Sequence, residues 1–163
     1  MKKADVTVNE FYGNRVRLRV CGICIVQNKI LLVNHSLYDS ASSFWSPPGG
    51  GVQFGETAID ALKREFKEET GLNVEIGDML FMNEFIQPPL HAVEIFFNVV
   101  SVEGELITGS DPEFLQHNQI IKEVRFLSIE EVKGIAKTDI HGILKNIDSF
   151  ADIFTIKGYI SNI

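Results

Sequence analysis

Apolar and polar positions alternate over residues 14–26. Val16, Leu18 and Val20 fall on one face and Arg15, Arg17 and Arg19 on the other, the period-two pattern of a half-buried strand. Beyond Cys21 both faces turn apolar, so the strand runs from an edge-like start into a buried centre. Gln27, Asn28 and Lys29 make a turn and Ile30 to Val33 return, which predicts a hairpin. Asn34 to Ser43 is polar and loop-like. Val74 to Glu84 offers strand material around a Gly77-Asp78 turn, followed by a loop from Phe85 to His91 and a strong strand from Ala92 to Val102. The polar stretch Thr108 to Asn118 is a loop long enough to suggest a role. Ile121 to Ile129 is the next strand, leading into a helix from Ser128 with Glu130 and Glu131 in its first turn. Ile140 to Ile147 reads as a short helix. The apolar extension Phe150 to Ile163 is expected to pack as a last strand or in a dimer contact. This order of elements predicts an α/β fold with a central mixed sheet and helices on both sides.

The period changes within Gly50 to Leu72. Thr57, with Asp60 three residues on, resembles a capping box and starts a helix, and Gly71 is placed to end it. Ile59, Leu62 and Phe66 make the apolar stripe, while Lys63 and Lys67 point to water. At about 100° per residue, Glu65, Glu68 and Glu69 share an arc of roughly 100°. Carboxylates this close repel one another unless a positive charge sits among them. Arg64 can pair with Glu68, but one arginine cannot neutralise three glutamates. A hard divalent cation with oxygen ligands, Mg²⁺ or Mn²⁺, is the remaining partner. The plain alternative is a solvated acidic face.

Composition narrows the setting. With 163 residues, 45% of them hydrophobic and 23% charged, the chain is expected to be a single domain, 1–163, with a real core. A net charge of −7 argues against binding long nucleic acids. It does not oppose a small phosphorylated ligand, since bound cations supply positive charge locally. No apolar run follows Lys2 and Lys3, and no stretch reaches membrane-spanning length, so a soluble cytoplasmic protein without a signal peptide is expected. Cys21 and Cys24 form C-x-x-C, but in a strand residues three apart face opposite ways, which predicts two buried thiols rather than a redox or zinc pair. The arginine stripe could meet phosphates, yet a solvated strand face is the usual place for such charge and is the expectation here.

Gly50, Glu56, Arg64-Glu65-Phe66, Glu68-Glu69 and Gly71-Leu72 match every fixed position of the Nudix box. The chain therefore resembles the Nudix hydrolases. The segment VRFLSIEEV and the strand order extend the likeness to about residue 148 and leave the tail outside it. The resemblance implies an α/β/α sandwich and cleavage of a pyrophosphate bond in a nucleoside diphosphate linked to another moiety. It implies Mg²⁺, with Mn²⁺ as a substitute, on Glu65, Glu68, Glu69 and the Gly50 carbonyl. Arg64 and Glu56 would orient those carboxylates. The general base varies in the family between a box glutamate and one on a downstream loop, for which Glu113 and Glu123 are the candidates. The substrate is a small phosphorylated nucleotide, either a nucleoside triphosphate or an ADP-ribose-like diphosphate. Gln53 stands where an acidic residue is usual, and Pro88-Pro89 lies near, but displaced from, a proline of the ADP-ribose pyrophosphatases. The groups available for base recognition are Tyr12, the arginine stripe, Phe44, Trp45 and the Phe85 to His91 loop, with packing the expected role of Trp45. A non-catalytic Nudix-fold nucleotide sensor is the main rival reading, and an isomerase acting on a diphosphate is a second.

Overall fold

The computed structural model describes residues 9–36, 41–114 and 119–162. Parts of the two expected loops, residues 37–40 and 115–118, lie outside the described residues, as does Ile163. The strands are β1 (Val16–Ile23), β2 (Ile25–Val26), β3 (Lys29–His35), β4 (Phe44–Ser46), β5 (Gly49–Gly51), β6 (Asn73–Gln87), β7 (Leu90–Glu103), β8 (Ile121–Leu127) and β9 (Gly158–Asn162). Residues 9–12 are helical, and the further helices among the described residues are α1 (Ala58–Thr70) and α2 (Ile129–Gly134), with short 3-10 turns at Gly142–Leu144 and Phe150–Thr155.

Two sheets are formed, one in the order β5-β1-β7-β6-β9 and one joining β2, β3, β4 and β8. The β1–β7 and β6–β9 pairs are parallel and the others antiparallel, so the central sheet is mixed. One core layer gathers Leu62 and Phe66 of α1 against Val20, Leu31 and Phe97. The other gathers Val132 of α2, Ile143, Phe150 and Ile153 against Phe81, Phe96 and Leu32. Helical elements on both faces make an α/β/α sandwich. Cys21 and Cys24 fall in opposite layers, both buried and unbonded, because alternate strand positions face opposite ways. Among the described residues no helix is long and apolar enough to cross a membrane.

Several expectations need correction. The Gly77-Asp78 turn is not a turn: β6 runs through it, with register shifts between Ile76 and Phe81 absorbing the irregularity. The Phe85 to His91 loop shrinks to a tight connection, because β6 continues to Gln87 and β7 starts at Leu90 around Pro88-Pro89. The β2–β3 hairpin closes through Gln27 and Asn28, both at positive φ, the two-residue turn that matches strand twist. Asn34 and His35 belong to β3, and both are buried. Ser128 caps α2 with a full capping box to Glu131. Only Gly142–Leu144 of the 140–147 stretch is helical.

The largest reversal concerns β1. Val16 and Leu18 are 61% and 47% exposed, while Arg17 and Arg19 are half-buried on the inner face. Of the three arginines of the stripe, only Arg15 is solvated. In register, Arg17 lies beside Ala92 and Arg19 beside Glu94, and these in turn lie beside Phe85 and Asn83. The solvated face expected of the stripe is instead the floor of a cavity.

Candidate active site

Helix α1 is fixed at both ends by its own sequence. Thr57 Oγ1 accepts the Asp60 amide at 3.1 Å, and Gly71, at φ 74°, donates its amide to the Lys67 carbonyl at 3.1 Å. Ala61, Leu62 and Phe66 are fully buried and set its rotation. Ile59, expected in that stripe, is 41% exposed, and Ala61 takes its place. The rotation turns Glu65, Glu68 and Glu69 toward the glycine strand β5, and all three line one cavity.

Arg64 is the hub of this side. It donates to Glu56 at 2.7 and 3.2 Å, to Glu65 at 2.8 Å, to Glu68 at 3.2 Å and to the Gly51 carbonyl at 3.1 Å. Glu56 also accepts the Gln53 amide at 2.7 Å, which ties the loop before the helix to the same arginine. Glu69 accepts the Gly49 amide at 2.9 Å, and His35 Nε2 lies 3.6 Å from its other oxygen. A Cβ at Gly50 would sit 2.3 Å from the Glu65 carboxyl carbon, so any other residue there would push that side chain out of its present position. The Glu65 carboxylate therefore lies directly against the glycine strand β5.

Charge in the cluster is not balanced. Burial, then the neighbouring Glu69, pushes the Glu65 carboxyl up to about 7 despite Arg64. Burial also raises Glu68. An all-oxygen donor set that holds excess negative charge fits a hard divalent ion. Among the described residues no three such side chains already converge as a ligand set, and Arg64 holds Glu65 and Glu68. Binding an ion would draw those two off the arginine.

The loop after β7 brings in carboxylates from the other side. Its backbone is pinned to the end of α1 by Ile107, Gly109 and Ser110 amides donating to the Thr70, Glu69 and Glu68 carbonyls at 2.9, 2.8 and 3.1 Å. Asp111 and Glu113 follow at once and line the cavity. Tyr12 donates to Glu113 at 2.5 Å and lies 3.2 Å from Asp111. Burial, with Glu113 and Glu69 adding, raises Asp111. Glu123 is not brought to the cavity. It sits on β8, half exposed, 3.4 Å from Arg125.

Behind the glycine strand lies a buried network that sequence reasoning missed. Glu94, 1% exposed, accepts from Arg19 at 3.2 Å and Asn83 at 3.0 Å, and meets His141 Nε2 at 2.7 Å. His141 Nδ1 accepts the Ile143 amide, so the ring proton sits on Nε2 and is donated to Glu94. Burial alone would raise the Glu94 carboxyl, but His141 and Arg19 hold it down at about 2. The signal was a single carboxylate inside the apolar strand Ala92 to Val102 and a single histidine in the apolar stretch that follows Ile140. Phe44 and Phe85 flank His141 and form the aromatic end of the cavity. Trp45 packs in the core, as its expected packing role requires.

The chain matches the NUDIX domain over residues 15–147. It belongs to the Nudix hydrolase family. It is 34% identical over 127 residues to an ADP-ribose pyrophosphatase of Methanocaldococcus jannaschii, covering 75% of this chain and 74% of that one. It is 28% identical over 111 residues to phosphatase NudJ of Escherichia coli, 67% of each chain. The MutT protein structure from Methanosarcina mazei superposes with a TM-score of 0.63 at 21% identity, over 87% of this chain and 92% of that one. As a Nudix hydrolase the protein is an enzyme acting on pyrophosphate bonds. Strand β9 lies beyond the matched residues.

Proposed function

We propose that the protein is a Mg²⁺-dependent pyrophosphohydrolase whose substrate is a nucleoside diphosphate joined to a second moiety, ADP-ribose-like before nucleoside triphosphates. The placement of Glu65, Glu68 and Glu69 on one cavity beside the glycine strand, with Arg64 and Glu56 bracing Glu65 and Glu68, carries the reading. The ADP-ribose preference is supported by the name of the archaeal relative. Glu65, Glu68, Glu69 and the Gly50 carbonyl would hold the ion, and Mn²⁺ would substitute for Mg²⁺. When bound, the ion screens the phosphate oxygens, acidifies a water and stabilises the leaving phosphate. Arg64 and Glu56 keep the carboxylates aimed. Asp111, raised by burial and facing the same cluster, takes the proton of the attacking water, with Glu113 beside it as the second choice. Glu123 has no part in this scheme because it lies outside the cavity. A sensor without hydrolysis is disfavoured by the retention of every box carboxylate.

A panel of ADP-ribose, other nucleotide sugars and nucleoside triphosphates with Mg²⁺, read by product masses, tests the proposal. ADP-ribose giving AMP and ribose 5-phosphate is expected, with no turnover in excess chelator. Turnover that survives chelation removes the metal step. Binding of these nucleotides without any turnover on the whole panel supports the sensor instead.

A further inference from the structure

Strand β1 breaks the ordinary rule of its own pattern. It exposes Val16 and Leu18 and turns Arg17 and Arg19 inward, an arrangement that costs free energy and is found where a site needs it. The Arg17 guanidinium lies 3.8 Å over the Tyr12 ring. Among the described residues no carboxylate lies within ion-pair distance of it. Burial, then Arg19 beside it, lowers it to about 10, and the smaller opposing pulls of Tyr12 and Glu113 do not offset them. Arg19 spends its two terminal nitrogens on Glu94 and the Gly49 carbonyl, at 3.2 and 3.3 Å. Its Nε is buried and has no acceptor among the described residues. A buried charged donor left unpaired is costly, and a ligand oxygen would satisfy it.

The position of the pair says which oxygen. Arg19 stands in register between Gly51 of β5 and Glu94 of β7, so it lies between the glycine strand and the carboxylate that holds His141. A nucleotide with its base at Phe44, Phe85 and His141 and its scissile phosphate at the carboxylates must pass over it. Nearby acidic groups do not fill the role: Glu94 is saturated by its three partners, and Glu113 is engaged by Tyr12. We propose that Arg17 and Arg19 form an anion subsite for the phosphoryl group next to the nucleoside, and that this subsite works without metal. The idea rests on the hydrolase reading only for the choice of a nucleotide as ligand.

The test uses the full chain in excess chelator, titrated calorimetrically with AMP and with adenosine. AMP is expected to bind about tenfold or more tightly than adenosine, one charged hydrogen bond's worth, and the gap should narrow as salt is raised. Arg17→Gln should remove most of the gap, and Arg17→Lys should keep part of it, with unchanged melting temperatures showing both to be folded. Equal binding of AMP and adenosine, no measurable AMP binding, or equal AMP binding by wild type and Arg17→Gln would overturn the subsite. Chelated protein cannot turn over through metal, so the outcomes separate. Metal-dependent hydrolysis without the AMP preference sinks the subsite alone. The AMP preference without any hydrolysis sinks the enzymatic reading and leaves the subsite standing.

Discussion

Arg64 holds two residues of the carboxylate cluster, the loop glutamate Glu56 and a β5 carbonyl at once, so the geometry of the site depends on single side chains rather than on bulk packing. Glu69 shows how chemistry and structure separate at one position. One of its oxygens accepts the Gly49 amide, and the other lies near His35 and faces the cavity. Glu69→Gln keeps an oxygen for Gly49 and removes the negative charge. Turnover should fall by about a hundredfold or more, the scale of losing a metal ligand or its support, while the melting temperature without metal stays level or rises as repulsion is relieved. Calorimetry on the variant with steady-state rates checks both halves, and an unfolded or near-normally active variant would return the cluster to a solvated acidic face.

At the scale of elements, α1 was legible almost to the residue, because caps and spacing are local: Thr57, Gly71 and the glutamates all lie within one helix and its flanks. What was not legible was decided by pairing between distant strands. Nothing local says that β6 bridges Gly77 and Asp78, or that Arg17 rather than Val16 faces inward; the partners β7 and β5 decide that. Asp111 escaped notice for the same reason, since its place depends on amides docking on the end of α1. The helix also makes a pH prediction. Glu65 sits at about 7 when folded against 4.5 for an unperturbed carboxyl, so between those values the folded state binds more protons. Metal-free stability is therefore greatest below about 4.5 for this group and is lost as pH rises through about 7, with Glu68 and Asp111, also raised, adding the same sign. Thermal melts in chelator should drop by a few degrees across that window, Mg²⁺ should restore them at the upper end, and Glu65→Gln should flatten the slope. A rising slope in chelator would contradict the crowding. The shortened β6–β7 connection sharpens a further expectation: His91 lines the cavity while Gln87 does not. His91→Ala should raise KM on at least one of a triphosphate and an ADP-sugar without changing metal affinity, and Gln87→Ala should change neither. Equal effects of the two substitutions would place the specificity groups elsewhere.

For the whole molecule the informative segment is the C-terminal one beyond the family match. Residues 150–162 contribute two separable things. Phe150 and Ile153 are 4% and 0% exposed and pack in the layer with Phe81 and Phe96. Strand β9 then pairs in parallel with β6 from Phe81 to Phe85, and Tyr159 donates to Glu84, which also contacts His91 at 2.7 Å. Removing everything from Phe150 deletes two buried side chains worth about 2–5 kcal/mol each, a large part of the roughly 5–15 kcal/mol that holds a domain folded. That truncation is expected to lose cooperative melting or solubility. Truncation after Ile156 keeps both anchors and strips only β9, leaving the β6 edge with unpaired backbone groups. It should stay folded, melt a few degrees lower and self-associate in a concentration-dependent way on size-exclusion chromatography. Its KM should shift in the same direction as that of His91→Ala, because the Tyr159–Glu84 support of that histidine is gone. If both truncations melt and elute like the full chain, the tail is an appendage and the packing of Phe150 and Ile153 contributes nothing to stability.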